Sequence, residues 1–246
     1  MTDVCLVIPC FNEQNRLPQQ QILESVQRCA GLSICFVDDG STDGTLAILS
    51  ALKAKAPANI DVISLERNCG KAEAVRQGML YVTRSNRVAM VGYWDADLST
   101  PLKDLNSLVS VLTSNRACVL AMGSRVKRLG SSIDRQLWRH LTGRIFATFV
   151  SMISRLPVYD SQCGAKLFRA DMARVFFGDP FLTRWLFDLE MLVRLRNAVG
   201  ASVIEVTREV PLARWEEVGG SKLGLSDIIN VPLELLKIRA HYNVHR

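Results

Sequence analysis

The chain has no run of about 18 uncharged apolar residues, the length a helix needs to cross a bilayer, so a membrane-spanning helix is excluded. Its start, Met1-Thr2-Asp3-Val4, lacks a basic region, and Pro9 interrupts the short apolar stretch that follows, so no secretory leader is expected. Seven cysteines form an odd set with no CxxC pair, which fits neither a zinc site nor a disulfide framework. They read as reduced, small hydrophobes of a cytoplasmic protein. There is no GxGxxG after the first apolar run and no GxxxxGK[ST] anywhere, which argues against a dinucleotide-binding dehydrogenase and a P-loop nucleotidase. No ladder of aromatics accompanies the basic residues, so nucleic acid is not an expected partner.

What is present is ordinary globular composition, 48% apolar and 22% charged over 246 residues. A chain of this length buries about three-quarters of its unfolded surface without staples. The net charge of +6 is unevenly placed. Arg125, Lys127, Arg128, Arg135, Arg139, Arg144 and Arg155 are opposed only by Asp134, so this segment alone matches the excess. Such a patch suits a polyanionic partner such as phosphates or an anionic membrane surface; a solvated helix face is the plainer alternative.

Apolar runs at 4–8, 33–37, 60–65, 88–94 and 119–122 alternate with helix-like segments at 17–28, 46–53, 71–81 and 102–112. Strands apolar throughout, separated by helices, predict a mostly parallel sheet covered on both faces, in one domain over 1–246. Ligands of such sheets bind beyond the carboxyl ends of the strands. The loops there carry Asn12 and Glu13, Asp38 and Asp39, Arg67 to Lys71, and Asp95 with Asp97. Several carboxylates converging on one edge need a cation, and a divalent metal is the natural one. In extended backbone, residues 95 and 97 point to the same side, so both carboxylates can face one ion. Two carboxylates with open positions suit Mg²⁺ or Mn²⁺ shared with a substrate diphosphate. A turn or cap cluster ahead of the helix after Pro101 is the plainer reading. A strand followed by DxD is also similar to haloacid-dehalogenase-type phosphohydrolases, although there the motif follows the first strand. A non-catalytic membrane-surface module is the third alternative.

Val7-Ile8-Pro9-Cys10-Phe11-Asn12-Glu13 and Val37-Asp38-Asp39-Gly40-Ser41-Thr42-Asp43-Gly44-Thr45 resemble the opening of the family 2 inverting glycosyltransferases of GT-A fold. Asn68-Cys69-Gly70-Lys71-Ala72-Glu73-Ala74 is similar to the third element of the polyprenyl-phosphate sugar transferases. Asp95-Ala96-Asp97-Leu98-Ser99-Thr100-Pro101, Asp160-Ser161-Gln162-Cys163-Gly164-Ala165-Lys166-Leu167-Phe168, Trp185-Leu186-Phe187-Asp188-Leu189-Glu190 and Trp215-Glu216-Glu217 with Gly220-Ser221-Lys222-Leu223 resemble the dolichyl-phosphate β-glucosyltransferase branch. Ala165 stands where that branch tends to carry an aromatic, a departure that bears on the sugar or acceptor pocket. A second departure is the membrane anchor usual in that branch, which has no counterpart here.

The resemblance implies a three-layer, Rossmann-like α/β fold with a nucleotide-binding half (1–125) and an acceptor half (126–246). It implies Pro9, Glu13, Asp38 and Asp39 at the base and ribose, and Lys71 and Arg125 near the nucleotide or diphosphate. Asp97 would be the direct metal ligand, with Asp95 assisting through ribose or water contacts. Gln162 and Lys166 would face the donor sugar and acceptor phosphate, and Asp188 would lie at the reacting centre. The reaction implied is transfer of a hexose, glucose from UDP-glucose, to a polyprenyl phosphate; GDP-mannose or a soluble acceptor are the alternatives. Leu137, Leu141, Ile145, Phe149 and Met152 recur at helical spacing beside Arg135, Arg139 and Arg144, which fits a helix resting on a membrane or an ordinary core helix. Leu225, Ile228, Ile229, Leu233 and Leu236 with Lys237 and Arg239 invite the same two readings, with a kink or restart at Pro232. On the membrane reading of either helix the chain is expected at the cytoplasmic face of a membrane, attached directly or through an anchored partner protein; on the core-helix reading it is cytoplasmic.

Overall fold

A computed structural model describes residues 3–84, 88–130, 132–134, 148, 151, 156–216 and 225–242. Of the helix expected through Leu137 to Met152, the apolar residues singled out and the three arginines beside them lie outside the described residues, as do Trp138, Glu217 and residues 220–223.

From the N-terminus run β1 (Val4–Cys10), α1 (Gln19–Arg28), β2 (Leu32–Asp38), α2 (Thr45–Lys55), β3 (Ile60–Ser64), α3 (Lys71–Thr83) and β4 (Met90–Trp94). There follow α4 (Leu105–Ser114), β5 (Leu120–Ser124), β6 (Ser132–Asp134), β7 (Ala165–Arg169), α5 (Ala173–Phe177) and α6 (Phe187–Val199). The chain continues through α7 (Val203–Val206), β8 (Thr207–Pro211), β9 (Arg214–Glu216) and α8 (Leu225–His241). Seven strands form one sheet in the order β3-β2-β1-β4-β7-β5-β8; β6 and β9 pair separately. Every neighbouring pair in the large sheet is parallel except those made by β7, which runs against both β4 and β5.

Both faces are covered, as uniformly apolar strands require. Leu6, Ile8, Ile34 and Phe36 pack with Ile22 and Val26 of α1, Leu49 and Leu52 of α2, and Leu105, Leu108 and Leu112 of α4. The alternate residues Val7, Val37, Val91 and Tyr93 pack with Val75 and Met79 of α3, Phe176 and Phe177 of α5, and Met191, Leu192 and Leu195 of α6. This is the expected three-layer α/β fold with a mostly parallel sheet.

The five expected strands are all present, and β7 and β8, from the second half of the chain, complete the sheet. The charged Lys166 in the middle of β7 hides its strand character, and β8 is a half-exposed edge strand containing Arg208 and Glu209. Gly92 makes the β4–β7 crossing possible, because a Cβ there would strike the Lys166 carbonyl. All seven cysteines are free, five of them buried. No helix among the described residues is long and apolar enough to cross a membrane. Helix α8 continues through Pro232 without the expected restart. It docks through Leu235 and Ile238 onto Leu186, Leu189 and Val193, while Leu233 and Leu236 stay 59% and 61% exposed.

Candidate active site

The carboxyl ends of β1 and β2 are stitched together by their loops. Asn12, at φ 51°, donates its N–H to Ser41 Oγ at 3.0 Å. It accepts from the Thr42 N–H at 2.9 Å. The buried Glu13 donates its N–H to Thr45 Oγ1 at 2.7 Å, and Pro9 lies half-buried in register with Val37. Asp43 receives the Thr45 N–H at 3.0 Å, so it secures the start of α2 as its position suggests.

Asp38 and Asp39, 1% and 2% exposed, divide the work at the end of β2. Asp39 accepts the N–H groups of Cys69 and Gly70 at 2.7 and 2.9 Å, shaping the turn into α3. Burial pushes its carboxyl up and outweighs those hydrogen bonds and the Arg184 charge. Gly70 is required here: its φ is 92° and a Cβ would meet the Arg184 guanidinium, which also donates to Asn68 Oδ1 at 2.7 Å. Asp38 accepts from Ser64 Oγ at 3.2 Å through one oxygen. Its other oxygen, Oδ1, is enclosed with no partner, an acceptor available to a ligand N–H or O–H.

After β4 the backbone turns at once. The Leu98 N–H bonds to the Asp95 carbonyl at 3.1 Å with Leu98 at φ 49°. The Trp94 indole N–H donates to the Thr100 carbonyl at 2.7 Å. Asp95 and Asp97 therefore stand on a turn, a correction to the extended geometry expected of them. Lys71 Nζ lies 2.5 Å from Asp95 Oδ1. Asp97 takes the Ser99 N–H and hydroxyl on Oδ1, at 3.0 and 2.8 Å, and Arg16 Nη2 on Oδ2 at 3.2 Å. Gly164 leaves the space that the Asp95 carboxylate fills, since a Cβ on it would collide with that group. Burial alone would lower the Lys71 ammonium, but Asp95, Asp188 and Asp97 outweigh it, and its pKa is raised. Among the described residues no cluster of three metal-ligating side chains occurs. The donor set is thus two hard carboxylates, which fits Mg²⁺ or Mn²⁺ completed by substrate phosphate oxygens rather than an all-protein cage.

Asp188, in the first turn of α6, is 4% exposed. Its Oδ1 accepts from Lys166 Nζ at 2.5 Å and from the Tyr93 hydroxyl. Lys166 is fully buried, and its other two protons go to the Ser161 and Cys163 carbonyls at 2.8 and 2.7 Å. It was expected to face sugar and phosphate; instead its three donors hold Asp188 and the 161–163 turn. Gln162, in that turn, has an enclosed Nε2 without a partner. Arg125 likewise has a protein partner: its Nε and Nη2 donate to Asp160 Oδ2 and Oδ1 at 2.7 Å each, and it lies 5.3 Å from the Trp215 ring centroid. Glu209 accepts the N–H groups of Tyr159 and Asp160 at 2.9 and 2.8 Å, fixing the other side of that pair. Glu190, fully buried two residues beyond Asp188, accepts the Leu182 and Thr183 N–H groups at 2.9 and 3.0 Å. It thereby ties the segment before α6 to the helix. Arg16 and Tyr93 join the site without being among the residues the motifs single out. Arg16 carries no signal in the sequence, and Tyr93 only its place two residues before Asp95.

Residues 5–177 match the family described as glycosyl transferase family 2. The chain is 31% identical over 251 residues to a dolichyl-phosphate beta-glucosyltransferase of Dictyostelium discoideum, covering 96% of this chain and 74% of the relative. It is 30% identical over 256 residues to the Homo sapiens protein of the same name, covering 96% and 75%. Among solved structures, glucosyl-3-phosphoglycerate synthase from Mycobacterium tuberculosis with Mn²⁺ and UDP-glucose superposes at a TM-score of 0.70 and 17% identity, over 96% of this chain and 79% of that one. The same enzyme with Mn²⁺, UDP and glucosyl-3-phosphoglycerate gives 0.69 at 16%, over 98% and 80%. Those structures share the fold, and the matched family and relatives together establish that this chain belongs to glycosyl transferase family 2.

Proposed function

We propose that this protein is an inverting glucosyltransferase that moves glucose from UDP-glucose to the phosphate of a polyprenyl, dolichyl-type lipid. The observation that carries the chemistry is the pairing of Lys71 with Asp95 at 2.5 Å, beside Asp97 and under the charge of Asp188. The glucose and the lipid phosphate rest on the relatives, whose name is dolichyl-phosphate beta-glucosyltransferase.

A phosphate oxygen of the acceptor attacks the anomeric carbon, the bond from that carbon to the diphosphate oxygen breaks, and UDP departs with the electron pair. In-line attack turns an α-linked donor into a β-linked product. A phosphate monoester has its second pKa near about 6, so the nucleophile is already anionic at neutral pH and needs no strong base. Asp188 therefore orients a sugar hydroxyl. Lys71, held charged by its carboxylate neighbours, stands ready for the negative charge that builds on the leaving diphosphate. Asp38 Oδ1 offers the nucleotide an acceptor. Mg²⁺ or Mn²⁺ held by Asp97 and Asp95 would supply the remaining charge neutralisation at the diphosphate. Peripheral attachment at the cytoplasmic face of a membrane, through the basic segment 125–155, would bring the lipid phosphate to the site.

The test is organic-phase extraction after incubation with Mn²⁺ or Mg²⁺, polyprenyl phosphate and labelled UDP-glucose, with GDP-mannose in parallel and Asp97→Ala as control. Lipid label from UDP-glucose that disappears in the variant is the expected result. Label from GDP-mannose alone would overturn the sugar. UDP binding without lipid label would overturn the acceptor and favour a soluble one.

A further inference from the structure

We propose that Tyr93 is a positioning residue for the transfer: with Lys166 it occupies one oxygen of Asp188 and leaves the other as the carboxylate's working acceptor. The inference rests on the reading of Asp188 as the group that meets the sugar.

Tyr93 and Lys166 are direct partners in the antiparallel register of β4 and β7, so both side chains rise from one face of the sheet toward α6. Both are wholly buried, and both donate to Asp188 Oδ1. The Tyr93 ring has no freedom to leave. It packs against Phe168 and Phe187 with centroids 6.1 and 5.5 Å away, and Lys166 Nζ lies 5.3 Å from its own centroid. Burial and the Asp188 charge push the phenol well above its ordinary pKa, so it is a permanent donor.

A carboxylate oxygen offers about two acceptor sites, and two donors fill Oδ1. Among the described residues Oδ2 takes no hydrogen bond, and it is not sealed from solvent as the orphaned oxygen of Asp38 is. The Asp188 charge also reaches Lys71 and helps keep its ammonium charged. Two tethers on one oxygen stop the carboxylate from turning over or swinging about its last torsion. Lys166, pinned by the Ser161 and Cys163 carbonyls, supplies one fixed point, about which the carboxylate could still turn without the second donor. Tyr93, being fully buried, cannot touch substrate, so its effect passes entirely through Asp188.

The experiment uses Tyr93→Phe, which keeps the ring and removes only the hydroxyl. The expected result is a fall in kcat of about 10- to 100-fold, the scale on which small misplacements act. KM for UDP-glucose and the affinity for UDP with Mn²⁺ should stay within about two-fold, because Tyr93 makes no donor contact in this scheme. Carbon-13 labelling of aspartate carboxyls supplies a readout free of activity. The signal deleted by Asp188→Asn should move in Tyr93→Phe while the other carboxyl signals stay. An unmoved signal, an unchanged kcat, or a kcat loss matched by an equal loss of folded protein would each overturn the proposal. Full activity of Asp188→Asn would instead sink the reading of Asp188 itself, and the carboxyl signal would still report whether Tyr93 holds it.

Discussion

Arg16 and Asp97 meet across the carboxyl edge of the sheet, with Nη2 donating to Oδ2 at 3.2 Å. Arg16 also lies 3.6 Å from Glu13 Oε2, so the guanidinium is steered from both sides. Asp97 therefore carries a protein counter-charge on Oδ2, and in the proposed site Arg16 would compete with a divalent ion for that carboxylate.

Removing that competitor should strengthen metal binding. The side chains are 25% and 19% exposed, and a partly buried pair of this kind is worth about 1 kcal/mol. Arg16→Gln is expected to bind Mn²⁺ about five-fold more tightly without nucleotide, the fold-change that 1 kcal/mol represents. Titration of free Mn²⁺ by paramagnetic resonance reads this directly. Unchanged or weaker binding would show that Arg16 does not shield Asp97.

Gly164→Ala tests the seat of Asp95. The added methyl would enter the space of the carboxylate, so Asp95 must leave Lys71 or the strand must shift. Overpacking of this kind costs about 1–3 kcal/mol, and displacement of a site group costs about 100-fold in rate. The variant is expected to fold with a lower Tm and to lose transfer activity by at least that factor. Near-normal kcat would mean that the position of Asp95 is not critical.

Arg125→Leu separates structural from substrate roles. Burial alone would raise the Asp160 carboxyl, but the Arg125 charge and hydrogen bonds outweigh it and hold it below the ordinary value. A depressed carboxylate contributes stability above its unfolded pKa of about 3.9, and that stability is lost as pH falls through the folded value. Without Arg125 the buried charge is unpaired, at a cost of about 3–5 kcal/mol near pH 7. The deficit relative to the wild type should shrink as pH falls from 7 toward 3.5, because burial without Arg125 raises Asp160 and the variant takes up its proton before the wild type does. Urea midpoints at pH 7 and pH 3.5 decide the matter: equal deficits at both would detach the pair from stability.

These variants follow the division between what the sequence discloses and what it hides. Val4–Cys10 and Leu32–Asp38 are legible as strands because nearly every residue is apolar, Ser33 and the closing Asp38 apart, and the acids at their ends fall at the sheet edge by topology alone. Lys166 and Arg125 are legible as cations but not in their orientation. Asp188 lies 22 residues beyond Lys166 and Asp160 lies 35 beyond Arg125, and only folding decides that each cation is spent on a protein carboxylate. β7 is hidden for the same reason, since a central strand with a lysine is plausible only once its counter-charge is known. Tyr93 reads as one more apolar strand residue until α6 sets a carboxylate over its hydroxyl.

Helix α8 shows the same limit in its apolar residues, and two substitutions two positions apart resolve it. Leu233, Leu236, Leu235 and Ile238 are equally hydrophobic in sequence. Ile238 is fully buried against α6 in the cluster containing Leu189 and Val193, whereas Leu236 is 61% exposed. Ile238→Ala should cost about 2–5 kcal/mol through lost burial and the cavity left behind. Leu236→Ala should stay within about 0.5 kcal/mol in solution, because its side chain remains mostly in water in the folded chain. Tyr242, at the end of this helix, accepts from Arg194 Nε at 2.8 Å and donates to Glu190 Oε2 at 3.1 Å. A helix loosened by Ile238→Ala would therefore slacken the Glu190 anchor of the segment before Asp188, and kcat should fall along with Tm. Equal losses of stability for the two variants would mean that α8 docks through a different face.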